Sequence, residues 1–134
     1  MTLEAALEKR IRTNPALANR AASIGWSARL AGLPAIRLQV IADPRPQTMK
    51  GFQRGRPTIV QIDVYAKERA EAVAIRELCI AHLTPPAQVD DVHFQRATVD
   101  NVRPSSEPEQ SGDPQRYRGE LPRESIDFTF MHNA

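Results

Sequence analysis

The run "VQIDVYAKERAEAVAI", residues 60–75, changes its hydrophobic period without a break. Val60, Ile62 and Val64 alternate with Gln61 and Asp63, the spacing of a half-buried strand. An alanine-rich segment of helical spacing follows at about residue 67 and reaches Leu83, just before Pro85-Pro86. Many α/β proteins cradle a phosphate at such a strand-to-helix junction. Here the junction "VYAKERAEA" contains no glycine, so its sequence matches neither a P-loop nor a dinucleotide fingerprint. The unit is architecture, and the remaining segments must say for what.

Thr2 is placed to cap a first helix whose Leu3, Leu7 and Ile11 form one apolar stripe. Asn14-Pro15 interrupts it, and residues 16–35 read as irregular, with Gly25, Gly32 and Pro34 as breakers and Trp26 at the core edge. Ile36, Leu38 and Val40 mark a strand, and the long turn "DPRPQTMKGFQRGRP" joins it to the strand at Val60. Val92 and Phe94 open a third strand; Ile126, Phe128 and Phe130 mark a fourth. The order α-β-β-α-β-β predicts an α+β two-layer sandwich. Its sheet is antiparallel or mixed, has about four strands, and carries two helices on its one apolar face. The 134 residues suit a single domain, 1–134. Residues 103–123 hold prolines, serines and mixed charge with little to bury, and are expected to form a mobile loop.

The chemistry-bearing residues do not assemble into a catalytic pattern. Cys79 is the single cysteine, which excludes an internal disulfide, and it sits in an apolar helix with no base at hand. His82, His93 and His132 lack metal-ligand spacing. Asp63 and Asp127 lie on polar strand faces and read as solvated residues rather than as an acid–base pair. No cofactor motif is present, and the expectation is a non-enzyme. The formal charge of +2 is too small to announce a nucleic-acid binder. The N-terminus lacks the apolar run of a signal peptide, and no stretch approaches the roughly 18 apolar residues of a membrane span. The chain therefore reads as soluble and made inside the cell.

Two features exceed that background. In the second helix, Ala70, Val73, Ala74, Leu78 and Ala81 suffice for a core-facing stripe, while Ala72, Ile75, Cys79 and Leu83 point elsewhere. A helix apolar on two sides is usually covered on two sides, so the latter four are candidates for a subunit interface; alanines tolerated on an ordinary surface are the alternative. The 43–57 turn carries Arg45, Lys50, Arg54 and Arg56 against Asp43 alone. It reads either as a partner-contacting arm or as a solvated loop.

Three stretches together resemble the phage tail terminator (tail completion) family. "MTLEAALEKRIRTNPALA" is similar to its opening helix and "DPALA"-like segment. "IVQIDVYAKERAEAVAIRELCIAHL" resembles its strand–helix signature, and "YRGELPRESIDFTFMHN" its last strand. The 103–123 insertion and the irregular 20–35 region depart from the pattern. The resemblance implies a structural virion protein, assembled in the host cytoplasm, that forms a homo-hexameric ring at the head-proximal end of a long tail. Its implied partners are the major tail tube protein, the head-tail connector proteins and the DNA passing through the lumen, with no membrane and no cofactor. A head-tail stopper or other neck ring protein is the first alternative; a small nucleic-acid-binding module is the second.

Overall fold

The computed structural model describes residues 1–27, 32–49, 51–52, 55–108 and 120–134. Among these run, in chain order, α1 (Leu3–Arg12), α2 (Pro15–Ala18), β1 (Ser23–Trp26), β2 (Ala35–Ala42), β3 (Gln47–Thr48), β4 (Gly51–Phe52) and β5 (Arg56–Tyr65). After them come α3 (Arg69–Leu83), β6 (Ala87–Val89), β7 (Val92–Phe94), β8 (Thr98–Pro108) and β9 (Glu120–His132). Seven of these strands form one mixed sheet in the order β1-β2-β5-β9-β7-β6, with β8 also beside β9. Strand β1 runs parallel to β2, and the other pairings are antiparallel. The sheet curls into a half-barrel. Among the described residues, strands β3 and β4 pair with each other as a separate two-stranded sheet.

This overturns the expected two-helix, four-strand sandwich: the protein is mostly sheet. Part of the expected 103–123 loop is strand, since residues 103–108 belong to β8 and 120–123 to β9. Residues 109–119 lie outside the described residues. Prolines and polar side chains made β8 read as loop, but β8 takes its conformation from pairing with β9. As an edge strand it tolerates Pro104, whose missing N–H a central strand would need. Strand β1 is four residues long and contains Gly25, too little for alternation to register.

The alternating strand residues place the core. Ile36, Leu38, Val60, Ile62, Val64, Ile126, Phe128 and Phe130 bury one face of the sheet against Leu3, Ala6, Leu7 and Ile11 of α1 and Ala72, Ile75, Cys79 and Leu83 of α3. Phe128 stacks on Phe130 at 5.2 Å, and Phe94 meets Phe130 edge-on at 5.9 Å. Thr2 caps α1 by accepting from the Ala5 N–H at 3.2 Å, and Asn14 starts α2 by accepting from the Ala16 N–H at 3.0 Å. Trp26 packs at the core edge.

Charges fasten the helices to this core. Glu124, buried on the helix side of β9, accepts from Arg69 and Arg76 of α3, each at 3.3 Å. Arg69 also donates to the Ser105 carbonyl at 2.8 Å, which ties the start of α3 to β8. Arg10 of α1 donates to the carbonyls of His82 (3.1 Å) and Pro85 (2.7 Å) while lying over the Phe94 ring. It serves the unpaired carbonyls at the end of α3, where a cation suits the helix dipole.

In register, Ile62 lies between Leu38 and Ile126 and is wholly buried. Ile62→Asn would bury an unsatisfied amide there and is expected to cost about 3–5 kcal/mol in urea unfolding. Gln39→Asn, on the opposite face, is expected to cost less than about 1 kcal/mol. Equal losses would show the register to be off by one residue.

Candidate functional site

The strand residues that point away from the helices build a charged lattice. Arg37, Asp63, Ser125 and Arg103 lie side by side across β2, β5, β9 and β8. Asp63 is wholly buried. Its Oδ2 accepts from Arg37 through Nε (2.9 Å) and Nη2, and its Oδ1 from Gln61 Nε2 (2.9 Å) and Ser125 Oγ (2.5 Å). One row along, Asp127 accepts from Arg103 Nη1, whose Nη2 reaches Gln61 Oε1 at 3.2 Å. Arg37 also lies over the Tyr65 ring. The reading of Asp63 as solvated is therefore wrong: two arginines, a serine and a glutamine close over this patch. Each carboxylate has its own arginine.

A second cluster holds the foot of the 43–57 segment. Asp43 Oδ2 accepts from Arg45 Nε (3.1 Å) and Nη2 (2.7 Å), and its Oδ1 from Arg56 Nε (3.1 Å) and Thr58 Oγ1 (2.8 Å). Although burial opposes its charge, the bonds from Thr58, Arg45 and Arg56 hold the Asp43 carboxyl below its ordinary range. Thr58 Oγ1 also meets His132 Nε2 at 2.7 Å. The His132 Nδ1 accepts from the Ala134 N–H at 3.1 Å, which leaves the proton on Nε2. The imidazole then donates to Thr58, and Thr58 donates to Asp43. Burial, then the nearby Arg56 guanidinium, pushes the His132 pKa down to about 4. His132 belongs to β9 and is buried.

The predicted contact residues fare unequally. Arg45 is exposed, with 58% of its side chain open to solvent, but it is paired to Asp43. Arg56 is largely covered; it bonds Asp43 and the Ala134 carbonyl, so it is part of the clamp rather than a free contact. Lys50 and Arg54 lie outside the described residues. The four proposed interface residues of α3, Ala72, Ile75, Cys79 and Leu83, are all wholly buried within the single chain. The two stripes are exchanged: Ala70 and Ala81 are exposed, and Val73, Ala74 and Leu78 half-buried. Both rows have helical spacing. The row holding Ile75 and Leu83 offers more area to bury, and the Arg69 and Arg76 bonds to Glu124 fix the rotation. Burial also raises the Cys79 thiol to about 12, so it packs as a hydrophobe and carries no thiolate.

Two surface features went unread in the sequence. Met49, in the turn of the β3–β4 hairpin, is wholly exposed, and Ile41 on β2 is 52% exposed. Its signal was one apolar residue among the polar residues and prolines of a turn. At the corner where α1 and α2 meet the end of α3 lies an open groove of about 560 Å³, lined by Arg10, Asn14, Pro15, Ala81, Pro85 and Pro86 among others. It joins residues far apart in the chain, so no local pattern announces it.

No protein-family model matches the chain, and no curated protein does. Among solved structures it is similar to a chain from the virion of a native gene transfer agent particle. The overlay has a TM-score of 0.65, covers 98% of this chain and 95% of that one, and pairs residues at 13% identity. At that identity the likeness is one of fold.

The two clusters yield separate tests. Asp63→Asn is expected to cost about 3 kcal/mol, because it removes the buried charge of the Arg37–Asp63 pair, and adding Arg37→Met is expected to recover part of the loss. Full stability of Asp63→Asn would show the lattice to be decorative. A His132 pKa lowered from 6.5 to about 4 contributes stability that is complete above pH 6.5 and lost as pH falls toward 4. Between pH 7 and 4 the wild type is expected to lose up to about 3 kcal/mol through this group. His132→Gln should show a flatter Tm profile over the same range, and an identical slope would contradict the assignment.

Proposed function

We propose that this chain is a structural virion protein that caps the head-proximal end of a phage-type tail as a ring, ending tail polymerisation and forming the tail side of the head-tail joint. The observation that carries this reading is the full-length overlay on a component of a gene transfer agent virion, which covers nearly all of both chains. The tail-end position rests on the sequence resemblance to tail terminators in the first helix, the β5–α3 unit and β9. The site chemistry is compatible: Asp63 and Asp127 are each paired with an arginine, and the buried thiol and imidazole are held neutral. On this reading the protein forms a homo-hexamer, binds the last tube ring on one face and head connector proteins on the other, and lets DNA pass through its lumen.

Deleting the gene from the producing phage or particle is expected to give filled heads separated from tails of irregular length, with joined particles restored by complementation. Tails of normal length on particles whose heads leak DNA would replace the terminator reading with that of a neck ring. Normal joined tails would remove both.

A further inference from the structure

We propose that His132 is the catch of an acid-opened latch: a proton added to its imidazole lets Asn133 and Ala134 lift from the end of the sheet, while the Asp43 clamp stays fastened. The latch does not depend on the tail reading. Three bonds hold the two residues down. His132 Nδ1 accepts from the Ala134 N–H at 3.1 Å, the Ala134 carbonyl accepts from Arg56, and Asn133 Oδ1 accepts from the His93 N–H at 2.7 Å. Ala134 packs against the same core as Phe94, whose ring lies 6.4 Å from the imidazole. The two residues therefore sit where the ends of β5, β7 and β9 meet.

Only the neutral imidazole fits this arrangement. A proton on Nδ1 turns the acceptor into a donor aimed at the Ala134 N–H, and two donors cannot share a bond. The groups around the ring set how far the pH must fall. Arg56 of β5 and Arg45 beyond β2 oppose a cation there, Asp43 and Glu4 of α1 favour one, and β7 offers the uncharged Phe94 ring. Burial, then Arg56, prevails over the two carboxylates and holds the imidazole down to about 4. The proton binds more tightly once Ala134 has swung away and water reaches the ring, so falling pH drives the opening. Thr58 keeps the step local. Its hydroxyl accepts from His132 Nε2 and donates to Asp43, and the imidazolium retains that Nε2 proton, so both bonds survive. Burial pushes the Asp43 carboxyl up, but the bonds from Thr58, Arg45 and Arg56 outweigh it and hold the group below its ordinary range. Asp43 is therefore still ionised when His132 takes its proton, and the clamp outlasts the latch.

The test is a titration of the whole chain from about pH 7 to 3, followed by proton–nitrogen NMR. In the wild type the Ala134 amide is expected to be protected from hydrogen exchange at neutral pH. Corrected for intrinsic exchange, that protection should fall about tenfold or more as the His132 ring titrates, since each unit by which the closed state lowers the imidazole is a factor of ten. The His93 amide should move in the same step, the Ile62 amide should not, and the Arg45 Nε–H signal should change only at lower pH. His132→Gln leaves every carboxylate in place but removes the titrating ring, so its Ala134 signal should lose the step. An Ala134 step that persists in His132→Gln would overturn the latch. So would an Ala134 amide that stays protected while the wild-type ring protonates, or an Ile62 signal lost in the same step. The last two are read on the wild type alone, so the decision stands even where His132→Gln does not fold.

Discussion

Along β9, hydrogen bonds leave on both edges and side chains leave on both faces to load-carrying partners. One edge pairs with β5 from Arg56 to Tyr65; the other pairs with β8 and, at His132, with β7. On the helix side, Ile126, Phe128 and Phe130 bury three large side chains in the core, each worth roughly 1.5–3 kcal/mol on burial. On the other side, Ser125 and Asp127 fill places in the arginine–carboxylate lattice. Glu124 reaches across to hold α3, and His132 closes the Asp43 clamp. A single strand thus joins the core, the lattice, the helix and the foot of the hairpin, and none of these stands without it.

The sequence disclosed those parts whose signal is local. Leu3, Leu7 and Ile11 repeat at helical spacing, and they are the buried side of α1. Val60, Ile62 and Val64 alternate, and they face the core. What stayed hidden depends on partners distant in the chain. The polar edge strand β8 is a strand only because β9 lies beside it, so no pattern of its own could reveal it. The rotation of α3 was ambiguous because alanines occupy both rows; bulk at Ile75 and Leu83 and the pull of Glu124 decide it. Asp63 looked solvated because alternation reports which face a residue takes and says nothing of what covers that face.

The distribution of charge bears on what this molecule offers outward. The carboxylates on the central strands are paired from within: buried Asp63 with Arg37, half-buried Asp127 with Arg103, and buried Glu124 with Arg69 and Arg76. Such pairs contribute specificity of packing more than net stability, because desolvation consumes much of the Coulomb attraction. On the sheet's outer face the charges of Asp63 and Asp127 are thus each matched by an arginine. Among the described residues, what faces outward uncovered is of another kind: the methionine at position 49 and the open groove at the α1–α3 corner.

The central place of β9 also imposes an order of events in time. Ser125 grips Asp63 across 62 positions of sequence, and pairing over such a span is slow because the intervening chain must first be gathered. While the chain is being made, α3 winds early from local contacts, whereas β5 waits with one edge bare. The Asp43 clamp waits too, for its Thr58–His132 bond and the Arg56–Ala134 bond need β9 in place. The foot of the hairpin therefore gains its full set of bonds only when the sheet has closed. Maturation of the monomer comes before presentation of its most exposed apolar residue, so a half-made chain does not display that residue in its final geometry.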